Sequence, residues 1–111
     1  MKHPEMPESV HRALDELKQA FSRLYGERLH GIYLYGSFAR GTAHEGSDVD
    51  VLVVLEGSVR PGAEISYMNP VVSEICLRYD LLISTCPVSA EGFETRRSMF
   101  LENVRKEALP L

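Results

Sequence analysis

Val51-Leu52-Val53-Val54-Leu55 is the longest unbroken apolar run in the chain. It is far short of the ~20 residues that a membrane span needs. With Val49 before it, the segment is rich in β-branched residues and reads as a strand. A strand with one wet face alternates apolar and polar side chains. Here Leu52 to Leu55 are apolar at consecutive positions, so both faces are buried and other parts of the chain must cover them.

The covering elements are visible on either side. Val10, Leu14, Leu17, Phe21 and Leu24 are spaced four, three, four, three, one face of an amphipathic helix that Pro7 or Ser9 starts and Gly26 ends. Gly31 to Tyr35 reads as a short strand stopped by Gly36. Residues 37–47 read as a loop with one helical turn near Ser37–Arg40. Gly57 to Gly62 reads as a second loop. Ile65, Met68, Val72, Ile75 and Tyr79 lie at helical spacing, but proline disfavours the helical region for the residue before it. Asn69-Pro70 therefore predicts a turn followed by a helix from Pro70 to Arg78. Tyr79 to Ser84 reads as a third strand, closed by Pro87. Phe93, Met99, Phe100, Val104 and Ala108 predict one last helix, with Arg96, Arg97, Arg105 and Lys106 on its outer side. Residues 1–6 read as a frayed end. Three strands with interleaved helices make an α/β layer fold, and 111 residues are one domain, 1–111.

The charge distribution limits the function. The net charge of −4 comes wholly from residues 31–90, where Arg40, Arg60 and Arg78 face seven acids: Glu45, Asp48, Asp50, Glu56, Glu64, Glu74 and Asp80. Nucleic-acid binding through the backbone needs the opposite balance. Acids grouped in a chain with balanced ends point to a cation. The start of the chain lacks the apolar stretch of a secretory leader, so Cys76 and Cys86 read as free thiols of a cytoplasmic protein.

Two segments carry chemistry. Asp48 and Asp50 stand two apart at the start of a strand, so they share a face about 7 Å apart and repel each other. Asp80 stands alone in an apolar segment, and a buried carboxylate without a partner is costly. If its strand neighbours that of Asp50, three carboxylates converge. Carboxylates together with substrate phosphates hold hard ions such as Mg²⁺, and two such ions serve phosphoryl or nucleotidyl transfer. Gly36-Ser37 ends the preceding strand. Glycine there admits a phosphate close to the backbone, Ser37 adds a hydroxyl and Arg40 a cation. Gly36 to Gly41 has the GxxxxG spacing of a P-loop, but Thr42 stands where lysine is required, which excludes that motif. His30 and His44, without a ligand partner at fixed spacing, read as surface or structural histidines. Tyr33 and Tyr35 read as lining the sheet, and Arg96 and Arg97 as a solvated helix face.

Gly36-Ser37, ten further residues, Asp48-Val49-Asp50 and the apolar-flanked Asp80 resemble the nucleotidyltransferase signature of the DNA polymerase β superfamily. The Gly-Ser-x-x-Arg-Gly turn, the short chain and the tail from Phe100 to Ala108 look most like the minimal nucleotidyltransferases, the MNT antitoxins encoded beside HEPN toxins. That resemblance implies a small mixed three-stranded sheet flanked by helices. It implies Asp48, Asp50 and Asp80 as catalytic and metal-binding residues, two Mg²⁺ ions, and Gly36, Ser37 and Arg40 as the nucleotide grip. The implied reaction moves AMP from ATP to a hydroxyl of a helical HEPN partner and releases pyrophosphate. Phe38 departs from the polar or basic residue more usual after Gly-Ser. Two other functions use the same residues: a module that neutralises its partner by contact with weak or no catalysis, and a small-molecule nucleotidyltransferase. The small-molecule enzymes use extra helical segments to hold the acceptor, for which 111 residues leave little material.

Overall fold

The computed structural model describes residues 6–111. Of the end expected to fray, residues 1–5 lie outside the described residues, and Met6 packs against the core. Helix α1 (Glu8–Tyr25) follows the four-three spacing and buries Val10, Leu14, Leu17 and Phe21. A single 3₁₀ turn over Gly26–Arg28 leads into β1 (Leu29–Tyr35). There follow a short helix α2 (Ser37–Arg40), β2 (Val49–Leu55), α3 (Pro61–Tyr79), β3 (Ile83–Ser89), α4 (Ala90–Thr95), α5 (Met99–Glu107) and β4 (Leu109–Pro110).

The sheet runs β3-β2-β1-β4. The pair β1–β2 is antiparallel, as is β1–β4, while β2–β3 is parallel. The apolar run thus occupies an inner strand, as its two-faced burial requires. A parallel neighbour needs a crossover, and α3 supplies it. Val49, Val51, Val53 and Leu55 pack with residues of α1 and α3 in one core cluster. Leu52 and Val54 pack on the other face with Ala90 of α4 and Val104 of α5. No helix among the described residues is long and apolar enough to cross a membrane.

The mixed α/β class stands, with four strands where three are expected. The added strand, β4, is two residues long and pairs Leu109 with Leu34 and Pro110 with Tyr33. So short a segment leaves no period-two signal.

Three other expectations are corrected. Asn69-Pro70 does not break the third helix: α3 is continuous from Pro61 to Tyr79 with Pro70 inside it. Burial of Met68, Val72 and Ile75 on one face outweighs the local penalty, and Pro70 itself is exposed. The third strand begins at Ile83, not Tyr79, and contains Pro87. A proline has no N–H to give a ladder, but β3 is an edge strand with one unpaired side, where it is tolerated. The tail forms two helices instead of one. Ser89 and Ser98 cap them, accepting hydrogen bonds from Gly92 N at 3.0 Å and Leu101 N at 3.1 Å. Arg96 and Arg97 are exposed but lie in the link between the two helices, not on a helix face, and the Arg105 guanidinium donates to Phe93 O and Arg96 O, tying α5 to the end of α4.

Candidate active site

Strands β1 and β2 bring the two chemical segments together. Their antiparallel register sets Tyr35 opposite Asp50, so the residue after Tyr35 reaches the Asp-x-Asp end of β2. That residue is Gly36, with φ 78°, a backbone region that side chains disfavour. A β-carbon there would overlap Asp50 Oδ2 and lie 3.1 Å from Asp50 Cγ. Glycine is required twice over, by the turn and by the carboxylate. The chain then enters α2, and Gly41 in the left-handed region ends it. Loop 41–48 is closed by His44 N donating to Ser47 Oγ at 2.9 Å.

Asp50 is partly buried, and its pKa is raised. Burial is the main cause and the Asp48 carboxylate the next; Arg40 opposes the shift and Glu107 adds to it. The carboxylates of Asp48 and Glu107 thus both act on Asp50, and the Arg40 guanidinium offsets them. A divalent cation would relieve that repulsion, and two carboxylates completed by phosphate oxygens are a donor set that suits Mg²⁺. Asp48 and Asp50 therefore fit the ion that the resemblance implies.

Asp80 is placed differently from the expectation. It is not on β3 but at the C-terminal cap of α3, left-handed at φ 52°, with its N–H bonded to Cys76 O. It shares a cavity of about 350 Å³ with Asp48, alongside Gly46, Ser47, Leu81 and Leu82. On β3 the residue beside Asp50 is Ser84, and beside Leu52 it is Cys86. Among the described residues no three His, Cys, Asp or Glu side chains form a group that could hold a metal. The expected convergence of Asp48, Asp50 and Asp80 on one ion is thus not formed. The physical reason is that α3 extends through Tyr79 and the chain turns at Asp80 before the strand begins.

The acid that does reach this corner is Glu107, the last residue of α5. Its Oε2 accepts from Gly36 N at 3.2 Å and from Arg40 Nη1 at 2.9 Å. Sequence reasoning missed it, because the contact spans 71 positions and no short motif carries it. Its place in the family-like tail is the one available signal.

The remaining residues take the ordinary roles expected of them. Tyr33 stacks on Phe93 with ring centroids 5.3 Å apart, and Tyr35 meets Phe100 edge-on at 5.7 Å. Burial, then Cys86 and Asp50, pushes the Tyr35 pKa up to about 12. Burial also raises the Cys86 thiol, so neither group ionises near neutral pH. His30 Nδ1 pairs with Glu56 at 2.6 Å on the surface, and His44 Nδ1 lies 2.8 Å from Glu45 O.

The chain matches known proteins over most of its length. Residues 14–106 match the family model described as the nucleotidyltransferase domain. A Methanocaldococcus jannaschii protein named "Putative protein adenylyltransferase MJ0604" is 32% identical over 97 residues, 86% of this chain and 91% of that protein. From the same organism, "Putative protein adenylyltransferase MJ1305" is 37% identical over 76 residues, 68% of this chain and 52% of the relative. The match therefore spans about half the length of that relative. Among solved structures, a chain of a toxin–antitoxin complex with AMP-PNP superposes with a TM-score of 0.62 at 18% identity, covering 86% of this chain and 69% of that one. A chain of a mutant MntA-HpeT toxin–antitoxin complex gives 0.60 at 18% identity, over 87% and 70%. These structures share the fold.

Proposed function

The chain belongs to the nucleotidyltransferase domain family, and from that premise we propose that it transfers AMP from ATP to a hydroxyl of a partner protein. The observation that carries this reading is the abutment of the Gly36 turn and Asp50, which supports a phosphate grip beside the Asp48-Val49-Asp50 carboxylates. The names of the adenylyltransferase relatives support a protein acceptor. The toxin–antitoxin structures that share the fold support a toxin as that acceptor, with this chain as antitoxin. A HEPN-type helical toxin and a cytoplasmic setting complete the proposal.

Each residue has a part. Gly36 lets the triphosphate approach the backbone, the Ser37 hydroxyl donates to a phosphate oxygen, and Arg40 offsets phosphate charge. Asp48 and Asp50 would hold Mg²⁺, which supplies charge neutralisation of the triphosphate and of the leaving pyrophosphate. The acceptor oxygen forms a bond to the α-phosphorus as the bond from that phosphorus to the bridging oxygen breaks. Pyrophosphate departs, and the acceptor proton leaves to a carboxylate of the site or to solvent. Asp80 faces the cavity beside Asp48 and would act at its edge instead of as a third ligand.

The experiment is incubation of the pure protein, Mg²⁺ and ATP labelled on the α-phosphate with the product of the neighbouring gene. Label on that partner, lost with Asp50→Asn, is the expected result. One observation favours a second reading, neutralisation by contact: among the described residues no three His, Cys, Asp or Glu side chains form a group that could hold a metal. Neutralisation by Asp50→Asn as strong as by the unsubstituted protein, with no label transferred, would establish it.

A further inference from the structure

We infer that Glu107 is a positioning residue for the triphosphate grip, setting the Gly36 turn and the Arg40 guanidinium through one carboxylate oxygen. The inference rests on the nucleotidyltransferase reading above. Its basis is the double contact: Glu107 Oε2 receives the Gly36 N–H at 3.2 Å and Arg40 Nη1 at 2.9 Å. Among the described residues these are the only side-chain bonds that Glu107 and Arg40 make with other parts of the chain. The Glu107 side chain is 24% exposed and that of Arg40 52%. The acid is thus sheltered while the cation it holds stays open to a ligand. An arginine has five N–H donors in a rigid fork. With Nη1 held by Glu107, the other donors are aimed but unspent.

The anchor of Glu107 is itself rigid. It closes α5, whose Leu101 and Val104 are buried, and Leu109, two residues on, pairs with Leu34 of β1. The backbone that carries Glu107 is therefore tied to the strand that leads into Gly36. Without it, Arg40 is a long exposed side chain with several rotamers, and the Gly36 peptide loses the acceptor that holds its N–H. Preorganisation of this kind appears as ligand affinity, because the cost of ordering is met before binding.

A competing reading of the same contact has the opposite sign. If Glu107 merely occupied the place of a phosphate oxygen, ATP would have to displace it, and its removal would tighten binding. Calorimetry with ATP and Mg²⁺ separates the two. Positioning predicts that Glu107→Ala weakens affinity by about 10-fold and that Glu107→Gln, which keeps an acceptor oxygen, loses only part of that. It also predicts coupling. In an Arg40→Ala background, Glu107→Ala should cost much less than it does alone. Equal or tighter binding by Glu107→Ala, or fully additive losses with Arg40→Ala, overturns the inference. If Glu107→Ala does not fold, the near-isosteric Glu107→Gln and its cycle with Arg40→Ala decide the question in the same way. Failure of the unsubstituted protein to bind ATP and Mg²⁺ would sink the nucleotidyltransferase reading and this inference together; binding by it with no loss in the variants sinks this inference alone.

Discussion

Gly36 lies against the carboxylate of Asp50, so close that a β-carbon on residue 36 would overlap Oδ2. The two residues are fourteen positions apart in the chain, and the register of β1 with β2 brings them together. This contact couples the turn that would grip phosphate to the acid that would hold the metal.

Gly36→Ala tests that coupling. The left-handed backbone and the displaced carboxylate both oppose a side chain, and strain of this kind costs about 1–3 kcal/mol. A domain of this size then melts roughly 5–20 °C lower. ATP–Mg²⁺ affinity should fall with it, since Asp50 must move. Normal melting and normal affinity in this variant would show that the turn has room the structure does not display.

Asp50→Asn should abolish transfer while leaving the metal-free protein as stable or more so at neutral pH. The sign follows from the raised Asp50 pKa, caused by burial and then by Asp48. A group bound more tightly to its proton in the folded state favours folding below its unfolded pKa, and that advantage disappears as pH rises through the folded value. The melting-temperature gain of Asp50→Asn over the parent should therefore grow from about pH 4 towards pH 7. A gain that shrinks with rising pH contradicts the assignment.

Ser37→Ala deletes one donor of several to the triphosphate. A hydrogen bond to a charged group is worth about 1.5–3 kcal/mol, so binding should weaken ~10- to 150-fold. Calorimetry with ATP and Mg²⁺ reads it directly. An unchanged dissociation constant would remove Ser37 from the grip.

Asp80→Asn should leave transfer within about 10-fold of the parent. Asparagine tolerates the left-handed cap that Asp80 adopts, so folding should be nearly unaffected. Asp80→Val, which does not tolerate it, should cost about 1–2 kcal/mol in chemical denaturation. A loss of 10²-fold or more in transfer by Asp80→Asn, with folding intact, would restore Asp80 as a third catalytic carboxylate.

Pro70→Ala should stabilise the protein. Pro70 is exposed within the continuous helix α3, and proline in a helix interior costs about 3 kcal/mol, partly offset by the freer unfolded chain of the alanine variant. A net gain of about 1–2 kcal/mol in denaturant midpoint analysis is expected. A loss would mean that α3 depends on the proline.

The signals written into short stretches of sequence were enough for the elements that depend on them. The four-three spacing of Val10 to Leu24 made α1, and the apolar run at Val51–Leu55 demanded an inner strand with helices on both faces. The Gly36-Ser37 turn and the Asp48-Val49-Asp50 pair were legible because glycine marks a turn at a strand end and aspartate is depleted in apolar strands. Packing across the chain decided the rest. Burial of Met68, Val72 and Ile75 carried α3 through Pro70, and that extra helical length put Asp80 at a cap instead of in a strand. The edge position of β3 made room for Pro87. Glu107 became part of the site only because β4 pairs with β1 and returns the end of α5 to the Gly36 turn. Local sequence determines which conformations a segment prefers. Which side chains meet across 71 positions depends on how the layers close, and no periodicity in the sequence encodes that distance.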